Sequence, residues 1–484
     1  MSIVFVSNRL PVVIEQSESG WSAHPGSGGL VTALHPLLKR LGGIWLGWPG
    51  APGLEPEGME RLLADFSRSQ GYRIAAVPLA EDEYRQFYEG FCNQIIWPLF
   101  HDLQSLCNFQ PEFWQSALKV EQKFAQVVES RAHADDLIWV QDYHLMGLGK
   151  VLADRGLRNK IVFFLHIPFP PPDIFCKLPW RKDVLKALLR YDVIGLQTSR
   201  DLDNFSQCVN RLLPDVQRRH TPRQARMTLD GHTALAGVFP IGIDYEEFAN
   251  GAAREDVARK AEELRTNFPG RQIILGVDRL DYTKGVLYRL RAMARALERY
   301  PELRKQITYF QVVVPSRENI PQYQTLKTDI EQSVAQINGK YTEPGWIPIH
   351  HVFRHVERTD LLAWYRVADV AMVTSLKDGM NLVAKEYCAC QIDGNGVLVL
   401  SEFAGAAEQL GRWAVLVNPY DTDSMADAIK LAVSMTPAER RPAMEKLRMN
   451  IREQNVYWWL SQFLKVCGVR QEQVGIPLVP GDVI

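Results

Sequence analysis

The residues best equipped for chemistry stand in one run, Val373-Thr374-Ser375-Leu376-Lys377-Asp378-Gly379-Met380-Asn381-Leu382-Val383-Ala384-Lys385-Glu386. The mostly apolar segment 368–373 predicts a buried parallel strand. Gly379 then allows a close backbone turn into a helix, so that successive N–H groups can face an anion or sugar hydroxyls. Asp378 at the strand end can accept hydrogen bonds from sugar hydroxyls, and Glu386, about two turns into the helix, can reach ribose hydroxyls. The layout suits a nucleotide-sugar. The plain alternative is a strand, a turn and a helix with one solvated face.

Other groups have spacings that suit phosphate. Arg279 and Lys284 flank a turn that opens a helix at Thr283-Lys284-Gly285, so two cations and a helix N-terminus can converge on one pyrophosphate. A cationic helix end paired with surface acids would look similar. Arg9 and Arg317 follow strands in different halves of the chain, and each offers a planar fork suited to a phosphorylated acceptor. Tyr84, Tyr88, Asn93 and Trp97-Pro98 form a helix-to-loop stretch whose rings can stack on a sugar and whose hydroxyls can reach a phosphate, although rings so spaced also build cores.

Some tempting signals have structural explanations. Gly26-Ser27-Gly28-Gly29 can bring backbone close to phosphate, but it is not GxGxxG and does not directly follow a strand, which removes the main support for a nicotinamide dehydrogenase. Asp201 and Asp203 follow Ser199 into a first helical turn, where capping accounts for them better than metal binding does. His351 and His355 would share a face only on a helix, whereas 349–353 predicts a strand. Cys388 and Cys390 point in different directions on a predicted helix, so no metal site is assigned.

These groups need a scaffold, and short β-branched runs supply one. They occur at 3–6, 137–140, 161–165, 193–196, 273–277, 307–314, 368–373, 397–400 and 414–417, with helical segments between them. Such alternation predicts an α/β fold with doubly wound parallel sheets. The runs fall into two groups separated by Phe239-Pro240-Ile241-Gly242-Ile243-Asp244 and a charged helical stretch, 245–267. The expected domains are therefore 1–240 and 241–454, with an amphipathic final helix starting at 455, within the C-terminal segment 455–484, that crosses back to cover the first domain. Ligands in such sheets lie beyond the carboxyl ends of strands. Arg9, Asp142, His166, Arg279, Arg317 and Asp378 all stand there, so two facing sheets would share one interdomain cleft.

Composition narrows the classes further. A chain of 484 residues, 46% of them hydrophobic, can bury more than one core. A net charge of −1 with interspersed signs gives no attraction to nucleic acid or an anionic membrane. No apolar run approaches the roughly 20 residues of a membrane helix, and the expected location is the cytoplasm. Seven cysteines without zinc spacing predict free thiols.

Taken together, Ser7-Asn8-Arg9-Leu10-Pro11, Gly28-Gly29-Leu30, Trp97-Pro98, Asp142-Tyr143-His144, His166-Ile167-Pro168-Phe169-Pro170, Arg279-Leu280-Asp281-Tyr282, Lys284-Gly285 and Asp378-Gly379-Met380-Asn381-Leu382-Val383 resemble the trehalose-6-phosphate synthases, retaining glucosyltransferases of glycosyltransferase family 20. The resemblance runs over almost the whole length. It implies a GT-B architecture of two Rossmann-like domains and transfer of glucose from a nucleoside diphosphate, usually UDP, to C1 of glucose 6-phosphate. It also implies residue roles. Arg279 and Lys284 would hold the pyrophosphate, Asp378 and His166 the donor glucose, Glu386 the ribose and the Val356 backbone the uracil. Gly28 and Gly29 would belong to a loop over the donor, and Gly379 to Val383 to its binding turn. Arg9, Tyr88, Trp97, Asp142 and Arg317 would bind the acceptor. The expected catalytic set is His166, Arg279, Lys284 and Asp378, with no metal or other cofactor, in a homo-oligomer (dimer or tetramer), with a separate phosphatase acting on the product. One departure stands out, because the family usually has Pro-Leu-Arg where this chain has Ser375-Leu376-Lys377. The competing readings are a relative that uses glycerol 3-phosphate and a non-catalytic sugar-phosphate-binding regulatory subunit.

Overall fold

The computed structural model describes residues 2–17, 20–26, 31, 34–35, 38–39, 43–50, 56–317 and 320–469. The chain divides into two compact units, Met1–Ile241 with Tyr457–Ile484, and Gly242–Val456. No described helix is long and apolar enough to cross a membrane.

The strands of the first unit are β1 (Ile3–Arg9), β2 (Val12–Ser17), β3 (Gly20–Pro25), β4 (Ile44–Trp48), β5 (Arg73–Ala76), β6 (Leu137–Gln141), β7 (Ile161–Phe164), β8 (Val193–Leu196), β9 (Gln217–Thr221), β10 (Gln224–Leu229) and β11 (His232–Val238). Nine of them form one sheet in the order β5-β4-β1-β6-β7-β8-β11-β10-β9, parallel except for the antiparallel β11-β10-β9 edge. From β1 the chain adds strands outward to β5, then returns to lay β6 against the other side of β1. That reversal makes the carboxyl ends of β1 and β6 a switch point, where a doubly wound sheet opens a crevice. β1 is buried from Ile3 to Asn8, as expected of a strand covered on both faces. β2 and β3 pair as a separate antiparallel hairpin, from Val12 opposite Pro25 to Ser17 opposite Gly20.

Residues 84–97 differ from the expected helix-to-loop form. Helix Glu81–Tyr84 runs into a π-helical stretch, Arg85–Ile96, and on into helix Trp97–Phe100. The wider turn keeps the polypeptide helical up to Phe100 and carries Tyr88 and Asn93.

The second unit has β12 (Gln272–Arg279), β13 (Ile307–Val314), β14 (Ile349–Phe353), β15 (Val370–Val373), β16 (Val397–Ser401) and β17 (Val415–Val417), all parallel in the order β14-β13-β12-β15-β16-β17. Its switch point lies between β12 and β15. The charged stretch 245–267 is two helices, Tyr245–Ala253 and Glu255–Asn267, with Arg254 in extended backbone between them. Helix Val286–Arg299 turns Val286, Leu290, Met293 and Leu297 onto the sheet, against Tyr309 and Val313 of β13.

The final helix, Val456–Val466, covers the sheet of the first unit. Phe463 stacks on Trp139 of β6 at 4.5 Å, and Trp459 meets Phe164 of β7 edge-on at 5.0 Å. Gly195 in β8 makes room for this packing, since a Cβ there would stand 2.8 Å from the Phe463 ring and closer still to Phe164. Gly195→Ala should therefore lower unfolding stability by about 1–3 kcal/mol through overpacking, read as a lower urea midpoint at unchanged slope.

Candidate active site

In the second unit Arg279, Lys284 and Asp378, expected to handle the donor, follow the two strands that flank the switch point, whereas Val356 follows the edge strand β14. Arg279 ends β12 with its side chain exposed and, among the described residues, without a hydrogen-bonded or ionic partner. Beyond it, Asp281 Oδ1 accepts from the Thr283 amide and hydroxyl, both at 2.9 Å, which folds residues 282–284 into a tight turn. Gly285 follows at φ 67°, and a Cβ there would lie 2.6 Å from the Thr374 carbonyl oxygen. Only glycine satisfies both constraints without strain. The Leu376 amide donates to Thr283 O at 2.8 Å, so the loops after β12 and β15 are joined through their backbones.

Lys284 Nζ stands 2.6 Å from Asp378 Oδ2, with the two side chains 12% and 13% exposed. The same oxygen accepts from Ser375 Oγ at 3.1 Å and Asn381 Nδ2 at 3.0 Å. Asn381 holds a left-handed backbone, φ 73°, and caps helix Leu382–Cys390 by accepting from the Ala384 amide at 3.4 Å. Leu382 and Val383 occupy the first turn of that helix, where N–H groups lack intrahelical acceptors. Gly379 and Met380 are held from behind, since the Gly405 amide donates to Asp378 O and the Ala406 amide to Met380 O. Glu386 Oε2 accepts from Tyr365 Oη at 2.9 Å, and burial pushes its carboxyl above the usual carboxylate range. Beside it Lys385 is fully buried, its ammonium donating to Gln409 Oε1 at 2.7 Å, and burial pushes it down to about 7. Val356 lies, partly buried, between β14 and helix Arg358–Val367.

Arg317 also belongs to the second unit. It takes a left-handed backbone, φ 52°, and its Nη1 donates to Tyr323 Oη at 2.6 Å and lies 3.6 Å from Asp281 Oδ2. Asp142, Asn381 and Arg317 are three of the described non-glycine residues at positive φ. Such backbones cost energy and cluster where function demands a particular side-chain placement.

The first unit holds the remaining expected groups. Arg9, exposed at the end of β1, lies with Cζ 5.1 Å from the Trp48 ring. Trp48 stacks on Tyr84 at 3.9 Å, Tyr84 on Tyr88 at 5.1 Å, and Tyr88 on His144 at 5.8 Å, so one ladder of rings links Arg9 to Tyr88. Trp97 is buried against His101 and Tyr143. Asp142, at φ 68°, accepts from the His166 amide at 3.2 Å. His166 Nε2 lies 2.9 Å from Gln141 Oε1, and burial pushes the imidazole down to about 3, so it is neutral at physiological pH. Gly28 and Gly29 lie outside the described residues. No three described His, Cys, Asp or Glu side chains gather as a metal would require.

The roles of three participants were not foreseen from the sequence. Tyr365 tethers Glu386, Gln141 holds His166, and Ser375 supplies a donor that the proline usual at that position cannot. Ser375 carried a signal in its departure from the family pattern. Gln141 stood among the polar residues at strand ends, whereas Tyr365 carried no signal beyond being a polar group in apolar surroundings.

Two Rossmann-like units, each with polar groups at its switch point, define the GT-B class of glycosyltransferases. The model of Glycosyltransferase family 20 matches residues 1–467, and the chain belongs to that family. The trehalose-6-phosphate synthase of Mycobacterium tuberculosis (strain ATCC 25618 / H37Rv) is 40% identical over 471 residues, covering 95% of this chain and 93% of that protein. The alpha,alpha-trehalose-phosphate synthase [UDP-forming] A of Dictyostelium discoideum is 38% identical over 464 residues, covering 96% of this chain, which spans only 62% of that protein's length. Among solved structures, a UDP-forming alpha,alpha-trehalose-phosphate synthase from Burkholderia xenovorans in complex with glucose-6-phosphate superposes with a TM-score of 0.86 at 33% identity, over 96% of this chain and 99% of that one.

Two outcomes follow from the site's geometry. Ser375→Ala removes one donor to a charged acceptor, worth about 1.4 kcal/mol or more, so kcat/KM for the donor sugar should fall about ten-fold in steady-state assays. The His166 ring should show no protonation by NMR above about pH 4. Because its folded value lies below that of the unfolded chain, the unfolded state alone takes up this proton as pH falls from about 6.5 toward 3, and His166 thus weakens folding across that window.

Proposed function

We propose that the chain transfers glucose from UDP-glucose to C1 of glucose 6-phosphate with retention of configuration, giving α,α-trehalose 6-phosphate and UDP. The observation that carries this reading is the set of three donors, Lys284, Ser375 and Asn381, on the Asp378 carboxylate, at the same switch point as Arg279, which has no partner among the described residues. An acid so held can accept from sugar hydroxyls, while its cations face a diphosphate.

In this reading the bond between donor C1 and the diphosphate oxygen breaks as C1 bonds to the acceptor hydroxyl oxygen on the same face. The departing phosphate oxygen takes the hydroxyl proton, so no protein base is required and the neutral His166 serves by hydrogen bonding to the sugar. Arg279, Lys284 and backbone N–H groups at the start of helix Leu382–Cys390 oppose the charge growing on the diphosphate, and the rate gain comes from positioning and electrostatics. Glu386 receives the ribose hydroxyls, the Val356 backbone the uracil, and Gly28 and Gly29 border the donor. Arg9, Tyr88 and Arg317 take the acceptor phosphate, and Trp97 and Asp142 its sugar ring. The route calls on no metal or other cofactor.

A homo-oligomer, dimer or tetramer, belongs to the same proposal, as does a separate phosphatase acting on the product. The cytoplasm is the proposed compartment, and the seven cysteines, all free thiols, suit its reducing conditions. The deciding experiment follows UDP release with glucose 6-phosphate or glycerol 3-phosphate and identifies the product by NMR. The expected product has an α,α-1,1 linkage and keeps its phosphate. Arg279→Ala should lower kcat roughly 100- to 1,000-fold, and turnover within a few-fold of the parent would remove Arg279 from this role.

A further inference from the structure

Beneath the donor loops lies a buried charge. Arg289 sits one turn into helix Val286–Arg299, within the apolar stripe of Val286, Leu290, Met293 and Leu297, and its side chain is 0% exposed. A guanidinium so placed needs its donors satisfied. Its bonds run to four separate segments. Nη1 donates to Asp278 Oδ2 on β12 at 2.6 Å and to Gln311 Oε1 on β13 at 3.0 Å. Nε donates to Thr374 Oγ1, just beyond β15, at 2.9 Å, and Nη2 to the Lys284 carbonyl at 3.2 Å.

Three of these partners are bound up with the donor site. Asp278 precedes Arg279, the Lys284 carbonyl belongs to the residue that pairs with Asp378, and Thr374 precedes Ser375, whose hydroxyl donates to Asp378. Packing alone would favour an aliphatic side chain in this stripe and gives no reason for a cation whose fork spans both loops. We infer that Arg289 is a positioning residue for glucosyl transfer, fixing the Arg279–Lys284 turn against the Ser375–Asp378 loop so that cations and acid keep one geometry as charge moves onto the diphosphate. The inference rests on the proposed function. It requires the planar fork, because an ammonium cannot make the same fan of bonds. A misplacement of about 1 Å costs a positioned reaction about 100-fold.

The test is a cycle of Thr374→Val and Arg289→Lys, each made alone and with Lys284→Ala. Thr374→Val keeps the side-chain volume and removes only the Nε acceptor, so it decides the matter if Arg289→Lys does not fold. Measured well below each melting temperature, kcat with UDP-glucose and glucose 6-phosphate should fall about 10- to 100-fold, with the donor KM within about three-fold. UDP affinity by calorimetry should weaken about three-fold, and both losses should shrink below about two-fold once Lys284 is absent. Unchanged kcat and affinity in folded variants, or losses of equal size with and without Lys284, would overturn the inference and leave Arg289 a residue of the fold alone. A parent protein that binds UDP but releases none with glucose 6-phosphate would sink the proposed function instead. The affinity cycle would then decide on its own, with coupling to Lys284 upholding the positioning role and additivity ending it.

Discussion

A carboxylate and an ammonium, each little more than a tenth exposed, meet at 2.6 Å where two parallel strands end. Taking both charges out of bulk water is costly, and the attraction offsets that cost only if the remaining lone pairs and protons also find partners. Much of the second unit's local design follows from this requirement. Ser375 and Asn381 complete the bonding of Asp378, and Asn381 accepts a left-handed backbone to do so. Gly285 lets the Lys284 turn pass close under Thr374, and Tyr365 steadies the second acid, Glu386, farther along the same helix. Removing either charged partner would strand the other, which makes the pair a constraint on every residue around it.

The first unit meets a different demand. Its expected ligand groups are arranged by stacked rings, from Trp48 through Tyr84 and Tyr88 to His144, with a cation lying against the outer ring. Rings give rigid placement at small entropic cost and present flat faces to a sugar. The π-helical stretch Arg85–Ile96 carries one of these rings, Tyr88, and insertions of this kind recur at functional sites.

Much of this was legible in the sequence because parallel strands buried on both faces are written as continuous β-branched runs. The run at 307–314 and that at 193–196 became strands with those bounds, Ile307–Val314 and Val193–Leu196. Seven described strands escaped notice, Val12–Ser17, Gly20–Pro25, Ile44–Trp48, Arg73–Ala76, Gln217–Thr221, Gln224–Leu229 and His232–Val238, because polar residues, glycine, tryptophan or alanine dilute the β-branched pattern in them. The rule that ligands lie beyond strand ends singled out Arg9, Asp142, His166, Arg279, Arg317 and Asp378, while the resemblance assigned most of their roles. Side chains that act from behind were harder to see, since a hydrogen bond from Tyr365 to Glu386 depends on three-dimensional placement with no sequence period. Arg289 did leave a trace, a cation within an apolar helical stripe, where burial obliges it to find partners. Residues 84–97 were misjudged at their far end because π and α turns draw on the same residue types.

The last described helix gives the chain an order of completion. Gly242–Val456 is continuous, so everything its core needs has left the ribosome by the time residue 456 emerges. The first unit, although synthesised earlier, leaves Trp139 and Phe164 without their covering rings until Trp459 and Phe463 arrive. During translation it must wait as an incompletely packed sheet with exposed apolar surface, the kind of intermediate that invites aggregation or chaperone binding. The half of the molecule made first is thus the half that matures last, and loss of even the final dozen described residues would fall on a unit encoded hundreds of codons upstream.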